Sequence, residues 1–194
     1  MTEFTISMTD FLLCVIIPAT IISHSLRTCR LRNRKRDKSM NLCKTTEEIS
    51  YPEVLRAEEE WQRAGAYSVR IQGMNRQYHI SLRDEFDEHD RDGTRYIVLL
   101  DHGYPFATCR FYEISNSSVM LGRVVVLPEY RNRNFGKRAV REAEKWISEL
   151  GYWTVQIESR LTAIDFYKKL GYTVTDDQVV KSGDFDCVRM KKNL

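Results

Sequence analysis

Apolar residues gather into short runs along the second half of the chain, and the spacing within each run predicts its element. Val124, Val125 and Val126 are consecutive β-branched residues with Leu127 behind them, a pattern that suits a strand covered on both faces. Pro128 ends it, because proline has no N–H to give to a ladder. Upstream, residues 95–101 (RYIVLLD) and 106–114 (FATCRFYEI) are rich in β-branched and aromatic side chains, and His102-Gly103 between them predicts a hairpin. A second turn at 116–118 leads into the strand that starts at Val119, so three consecutive strands are expected to form an antiparallel meander.

Past the valine strand the period changes. Ala139, Val140, Ala143, Ile147 and Leu150 recur at three- and four-residue steps, with Arg141, Glu142, Glu144, Lys145 and Glu149 opposite them. This predicts an amphipathic helix over 135–150, closed by Gly151. Residues 153–158 (WTVQIE) read as the next strand, and a crossover helix before it sets it parallel to the valine strand. Residues 162–170 predict a short helix, with Thr162 and Asp165 in capping-box spacing and Gly171 as its stop. A last strand near 187–190 would close the sheet. The earlier chain is less periodic. Residues 45–64 read as a helix capped by Thr45 or Thr46, with Val54, Ala57 and Trp61 on one side and Gly65 at its end. A strand near 69–71 and a second short helix are expected within 67–82.

Composition changes this picture mainly at the amino terminus. A chain of 194 residues with 42% hydrophobic content suits one domain with some excess. The first 44 residues hold eight basic side chains against Glu3, Asp10 and Asp37, so the +3 of the whole chain leaves a mildly acidic remainder and no support for nucleic-acid binding. The apolar run at 11–22 (FLLCVIIPATII) is shorter than the roughly 20 residues that a bilayer core requires. Its positive charges follow it rather than precede it, unlike a secretory signal, and would keep the rest of the chain on the cytoplasmic side. Residues 1–44 are therefore expected to lie outside the fold, as an upstream-start extension or a weak membrane contact, and 45–194 to form the domain. The five cysteines are odd in number and show no C-x-x-C spacing, which indicates neither a zinc site nor a disulfide framework and fits a reducing, cytoplasmic compartment. No metal is expected.

Two stretches carry candidate chemistry. Arg131, Asn132, Arg133, Asn134, Phe135, Gly136, Lys137 and Arg138 run from the valine strand directly into the amphipathic helix. A loop there points backbone N–H groups at one place beside the positive end of the helix dipole, which makes an anion site. Gly136 lets the backbone approach a phosphate, and Asn134 tolerates positive φ. The second stretch is acidic, with six carboxylates in the nine residues 84–92. It reads either as a solvated loop or as an acceptor mouth in which Glu85 and Glu88 attract a cationic amine.

The order strand, Pro, Arg-x-x-Asn-x-Gly, amphipathic helix resembles the acyl-CoA loop of the GNAT superfamily of N-acetyltransferases, with Arg131 and Gly136 matching and Asn134 where a glycine is usual. The segment AIDFYKKLGY resembles the A-x-x-F-Y-x-x-x-G-F segment of the same enzymes, with Tyr172 for Phe. The resemblance covers about residues 68–194. It looks closest to a bacterial subgroup that has an EFDEHD-like stretch and ends in a segment like SGDFDCVRMKKNL, and it implies no particular acceptor. It does imply an α/β (α+β) fold: a mixed, mostly antiparallel central sheet flanked by helices, with a splayed parallel strand pair at the CoA site.

The same resemblance implies acetyl-CoA as acyl donor and direct attack by an amine, with no acyl-enzyme. Tyr167 would donate to the departing sulfur, and the backbone of Val124 and Val126, with Val125 between them, would hold the pantetheine and polarise the thioester oxygen. Glu158 is the first candidate for general base. Arg160 stands where Asn is common, which leaves that CoA contact open and allows it to bind an acidic group on the substrate. The expected partner is a small-molecule primary amine, with a protein amine as second choice, and a homodimer stays open. A noncatalytic acyl-CoA sensor and a membrane-tethered interaction module are the alternatives.

Overall fold

The computed structural model describes residues 51–194, so the expected 1–44 extension lies outside the described residues. One seven-stranded sheet organises the fold, in the order β1-β2-β3-β4-β5-β7-β6. Its strands are β1 (Glu53–Arg56), β2 (Arg95–Asp101), β3 (Tyr104–Ser115), β4 (Ser118–Val126), β5 (Thr154–Arg160), β6 (Thr173–Ser182) and β7 (Phe185–Asn193). All neighbours are antiparallel except β4 and β5. The β2–β4 meander matches its sequence pattern, and the β2–β3 turn puts His102 at φ 47 and Gly103 at φ 86, the left-handed pair that matches the twist of a two-residue hairpin.

The continuous apolar run in β2 follows from cover on both faces. Tyr96, Val98 and Leu100 pack with Ala66 of α1 (Glu60–Arg70) on one side. Ile97 and Leu99 join Ala139, Val140, Ala143 and Ile147 of α3 (Phe135–Glu149) in the main core on the other. Alternation along a strand produces this division, and α3 occupies the span its apolar period predicts.

The amino-terminal expectation is corrected. Residues 53–56 form β1, in which Val54 and Leu55 pair with Leu99 and Val98, so tertiary pairing overrides a spacing that also suited a helix. The helix starts at Glu60, where the Gln62 side chain accepts from the N–H of Glu59 (2.8 Å). It runs through Gly65 and continues as a π-helical turn over Ile71–Arg76, which replaces the strand expected near 69–71. Gly73 of that turn lies so close to β4 that a Cβ there would sit 2.4 Å from Cγ1 of Val125. The short helix α2 (Leu82–Glu85) follows, capped by the Ser81 hydroxyl. In α4 (Ile164–Lys168) the capping position is Ala163, after a 3-10 turn at Leu161–Ala163, so the Thr162–Asp165 box does not form. The strand β6, which the sequence pattern did not predict, edges the sheet. Among the described residues no helix is long and apolar enough to cross a membrane.

Candidate active site

The site arises where two strands part. β4 and β5 pair only at Ser118↔Thr154, Val119↔Val155 and Met120↔Gln156. Beyond that point β5 stays with β7 while β4 stays with β3, so the β4 backbone past Met120 faces a gap. A cavity of about 920 Å³ fills it, lined by Val124, Val125, Val126, Gly136, Glu158 and Tyr167 among others. β4 bends here, spending three residue steps between Gly122 and Val125 where β3 spends two between Arg110 and Thr108. That is a β-bulge. Arg123 within it has φ 48, a left-handed conformation that costs about 1 kcal/mol or more outside glycine and persists only where the surroundings hold it.

At the end of β4 the chain passes through a 3-10 turn at Pro128–Tyr130 and a loop with Asn132 at φ 61 and Asn134 at φ 63. The positive φ at Asn134 agrees with its sequence reading. Arg131 is turned back on the fold, donating from Nε to the Val126 carbonyl (2.9 Å) and from Nη2 to Oε1 of Gln77 (2.7 Å). Phe135 anchors the start of α3 against the Phe106 ring, 4.8 Å between centroids. The first backbone bond of α3 runs from Arg138 N–H to the Asn134 carbonyl, which leaves the N–H groups of Phe135, Gly136 and Lys137 without an intrahelical acceptor. A Cβ on Gly136 would stand 3.6 Å from both the Val126 side chain and the Phe166 ring, so glycine keeps this corner open. Of the loop residues, Arg131 and Gly136 line the cavity together with the three valines. Asn132, Arg133, Asn134, Lys137 and Arg138 are exposed and do not line it, and Arg138 donates to the Tyr51 carbonyl (3.3 Å).

Tyr167 of α4 lines the opposite wall and is 8% exposed. Burial pushes its phenol well above the usual range, so at neutral pH it is an O–H donor. Glu158 and Arg160 of β5 line the same cavity. The Arg160 guanidinium lies over the rings of Phe185 (3.4 Å) and Tyr78 (4.8 Å), and the two rings meet edge to face at 5.5 Å.

Within the acidic stretch Asp84, Glu88 and Asp92 are exposed, whereas Glu85, Asp87 and Asp90 are tied to arginines. Arg70 is wholly buried and donates from Nε to Glu85 Oε1 (2.7 Å) and from both Nη atoms to the Asp90 carboxylate. Arg110 forks onto Asp87 (2.9 and 2.7 Å) and also pairs with Asp90 (2.6 Å). Arg123 reaches Asp87 (3.0 Å) and the Glu85 carbonyl (3.3 Å), and the Tyr96 hydroxyl donates to Asp90 (2.6 Å). The strained bulge at Arg123 is thus tied to the 85–90 segment. Burial alone would raise the Asp90 carboxyl, but hydrogen bonds from Arg70, Arg110 and Tyr96 hold it far below the usual range. Glu85 is 2% exposed, with its carboxylate engaged at the cavity wall. Glu88 stands outside the cavity with its side chain 70% exposed. Sequence reasoning missed Arg70, Arg110 and Arg123. The available signal was Arg110, a positive charge inside a largely apolar strand, with the six carboxylates of 84–92 to neutralise it.

Among the described residues no group of three His, Cys, Asp or Glu side chains is placed to hold a metal ion. Cys109 and Cys187 are free thiols, and Cys187 lines the cavity.

Comparison with known proteins accords with this geometry. A family model described as Acetyltransferase (GNAT) family matches residues 53–172. An uncharacterised acetyltransferase of Streptococcus pyogenes serotype M3 is 28% identical over 113 residues, covering 58% of this chain and 79% of its own. Bacillus subtilis YyaT is 30% identical over 107 residues, 54% of this chain and 72% of its own. Among solved structures, a Lactobacillus plantarum protein provisionally assigned as an N-acetyltransferase superposes with a TM-score of 0.69 at 30% identity, covering 74% of this chain and 98% of that one. An aminoglycoside 6'-N-acetyltransferase complexed with coenzyme A shares the fold, with a TM-score of 0.60 at 16% identity over 72% of this chain and 96% of that one. The family model spans more than half of the chain, and the protein is an acetyltransferase that belongs to the GNAT family.

Proposed function

We propose that this acetyltransferase moves the acetyl group of acetyl-CoA to the primary amine of a small molecule, with both substrates held at once. The observation that carries this reading is the departure of β4 from β5 after Met120, which frees the backbone of Val124 and Val126 beside a cavity ended by Gly136. The residues present fit acetyl-CoA. Unpaired strand backbone suits the amide groups of a pantetheine, and free N–H groups at the start of a 15-residue helix suit a pyrophosphate. The loop from Arg131 through Asn132, Arg133, Asn134 and Phe135 to Gly136, Lys137 and Arg138 surrounds that helix start. The neighbour with coenzyme A in the same fold supports the choice of cosubstrate.

When bound, acetyl-CoA supplies a thioester whose acyl group is activated for attack. Backbone N–H groups at Val124 or Val126 are the donors to the oxygen on which charge develops. Tyr167 holds its proton toward the departing sulfur. A phenol raised by burial is a hydrogen-bond donor to a thiolate of ordinary pKa of about 8.5 and does not surrender the proton fully. Glu158, on the β5 wall, takes the proton of the attacking amine. A cavity of about 920 Å³ is on the scale of small-molecule sites, roughly 300–1,000 Å³. We assign 45–194 as the domain and 1–44 as an extension outside it. The free Cys109 and Cys187 are compatible with a cytoplasmic setting.

The test is release of free thiol from acetyl-CoA by the full chain across a panel of primary amines, with Tyr167→Phe alongside. Amine-dependent release is expected, lowered about tenfold or more in Tyr167→Phe, roughly 1.4 kcal/mol of barrier. Acetyl-CoA that binds but is never consumed with any amine would overturn the reading.

A further inference from the structure

The charges at the cavity wall divide into those already matched and those left over. At the wall, Glu85 and Asp87 are closed by Arg70, Arg110 and Arg123, with Asp90 behind them, and drawing any of these toward a ligand would leave a buried partner uncompensated. Of the charges left over, Glu158 and Arg160 are the two that the central sheet itself carries into the cavity.

Arg160 has the character of a binding group. Its guanidinium carbon is held over the Phe185 and Tyr78 rings, and Nη2 contacts the weak acceptor Sδ of Met74 at 3.5 Å. Among the described residues it makes no ion pair. A guanidinium packed on aromatic rings keeps its planar fork of N–H donors, which matches a carboxylate. Glu158 lies two residues earlier on the same strand, so both side chains leave one face of β5, with Cα atoms about 6.6 Å apart. Glu158 likewise makes no ion pair or side-chain hydrogen bond among the described residues. One wall of the cavity therefore offers an open anion and an open cation side by side.

We infer that the acceptor is zwitterionic, an amine with a carboxylate a few atoms away, in which Arg160 takes the carboxylate and Glu158 faces the amine. This rests on the amine-transfer reading above and names its substrate class as amino acids rather than polyamines or simple alkylamines. A site whose donors are aligned for a carboxylate discriminates strongly against an analogue that lacks it, because those donors are then left unmatched.

The experiment uses the full chain and a set of α-amino acids, each compared with its own carboxamide and its own decarboxylated amine. The readouts are kcat/KM for acetyl transfer and calorimetric binding of acetyl-CoA. The free carboxylate is expected to be preferred at least tenfold. Arg160→Gln brings the ratio of acid to amide close to one, Arg160→Lys gives an intermediate ratio, and both bind acetyl-CoA within about twofold of the parent. Should Arg160→Gln fail to fold, the ratio in the parent protein and in Arg160→Lys decides. Turnover of decarboxylated amines as fast as, or faster than, amino acids overturns the inference and leaves amine transfer standing. So does an Arg160→Gln that keeps the ratio but binds acetyl-CoA tenfold more weakly, since its guanidinium then serves the phosphates of the cosubstrate. Acetyl-CoA binding with no turnover of any amine defeats the amine-transfer reading itself, and this inference with it.

Discussion

From the β4 edge past Met120 to Gly136 the cavity is bounded largely by backbone: the strand edge that β5 has left and the start of α3, whose first N–H groups have no intrahelical acceptor. At Glu85, Asp87 and Arg123 it is bounded by side chains, backed by a network in which Glu85, Asp87 and Asp90 are locked to three arginines drawn from α1, β3 and β4. The two regions touch at the β4 bulge, where Arg123 belongs to both. A backbone-built wall can serve an invariant cosubstrate, because peptide groups are the same whatever side chains surround them. Paired side chains hold the bulge bent, through the ties from Arg123 to Glu85 and Asp87.

Breaking the side-chain region should have the largest effect. Arg70→Met leaves Glu85 and Asp90 buried without their main partner, and a loss of about 3–5 kcal/mol is expected in urea unfolding. A loss below about 1 kcal/mol would mean that the network is solvated and the contrast between the walls is wrong.

The same network sets the acid limit of the fold. Although burial alone would raise Asp87 and Asp90, hydrogen bonds from Arg110 to Asp87 and from Arg70 and Arg110 to Asp90 hold both below the ordinary range. Depressed carboxylates contribute stability that is fully present above their unfolded pKa of about 3.9 and is lost as pH falls through the folded values. Unfolding free energy should therefore decline below about pH 4, with Asp90 responsible for about 2 kcal/mol of the change. Asp90→Asn should flatten the decline, and an unchanged pH profile in that variant would remove Asp90 from the account.

A smaller effect sharpens the contact between the π-turn and β4. Gly73→Ala places a methyl group against Val125, a β-branched side chain buried at 5% exposure, and should cost about 1–3 kcal/mol. Combining it with Val125→Ala should return part of that loss in a double-mutant cycle. Simple additivity would show that the two do not meet. The smallest effect concerns the thiols. Burial pushes Cys109 up to about 12, so iodoacetamide should leave it untouched while Cys187, on the cavity wall, is labelled slowly and protected by acetyl-CoA. Site-resolved mass spectrometry reads both, and equal labelling would contradict the burial pattern.

How much of this was legible in the sequence follows the same division. The meander, α3, β5 and the loop before α3 are local: hydrophobic period, a turn pair such as His102-Gly103 and the Asn134–Gly136 spacing each lie within a few residues. Tyr167, Glu158, Gly136 and the three valines line one cavity. The side-chain region was illegible because its partners are distant in sequence: Arg70 and Glu85 are 15 residues apart, Arg110 and Asp87 23, and Arg123 and Asp87 36. β1 was missed because four residues pair with β2 and carry no period of their own. Gly65 did not end α1: it lies inside the helix, beside Pro105, where a Cβ would make an ordinary contact at 3.4 Å. β6 was missed because its sequence, TVTDDQVVKS, is largely polar, as suits an edge strand.

The contrast between the two walls is tested most directly by acetyl-CoA affinity, measured by calorimetry on the parent protein, Lys137→Ala and Gly136→Val. If the cosubstrate wall is made of backbone, Gly136→Val weakens binding about tenfold or more, roughly 1.4 kcal/mol, while Lys137→Ala changes it by less than about fivefold. The reverse order would place the affinity in surface charge, and a parent protein that does not bind acetyl-CoA would contradict the assignment of the loop altogether.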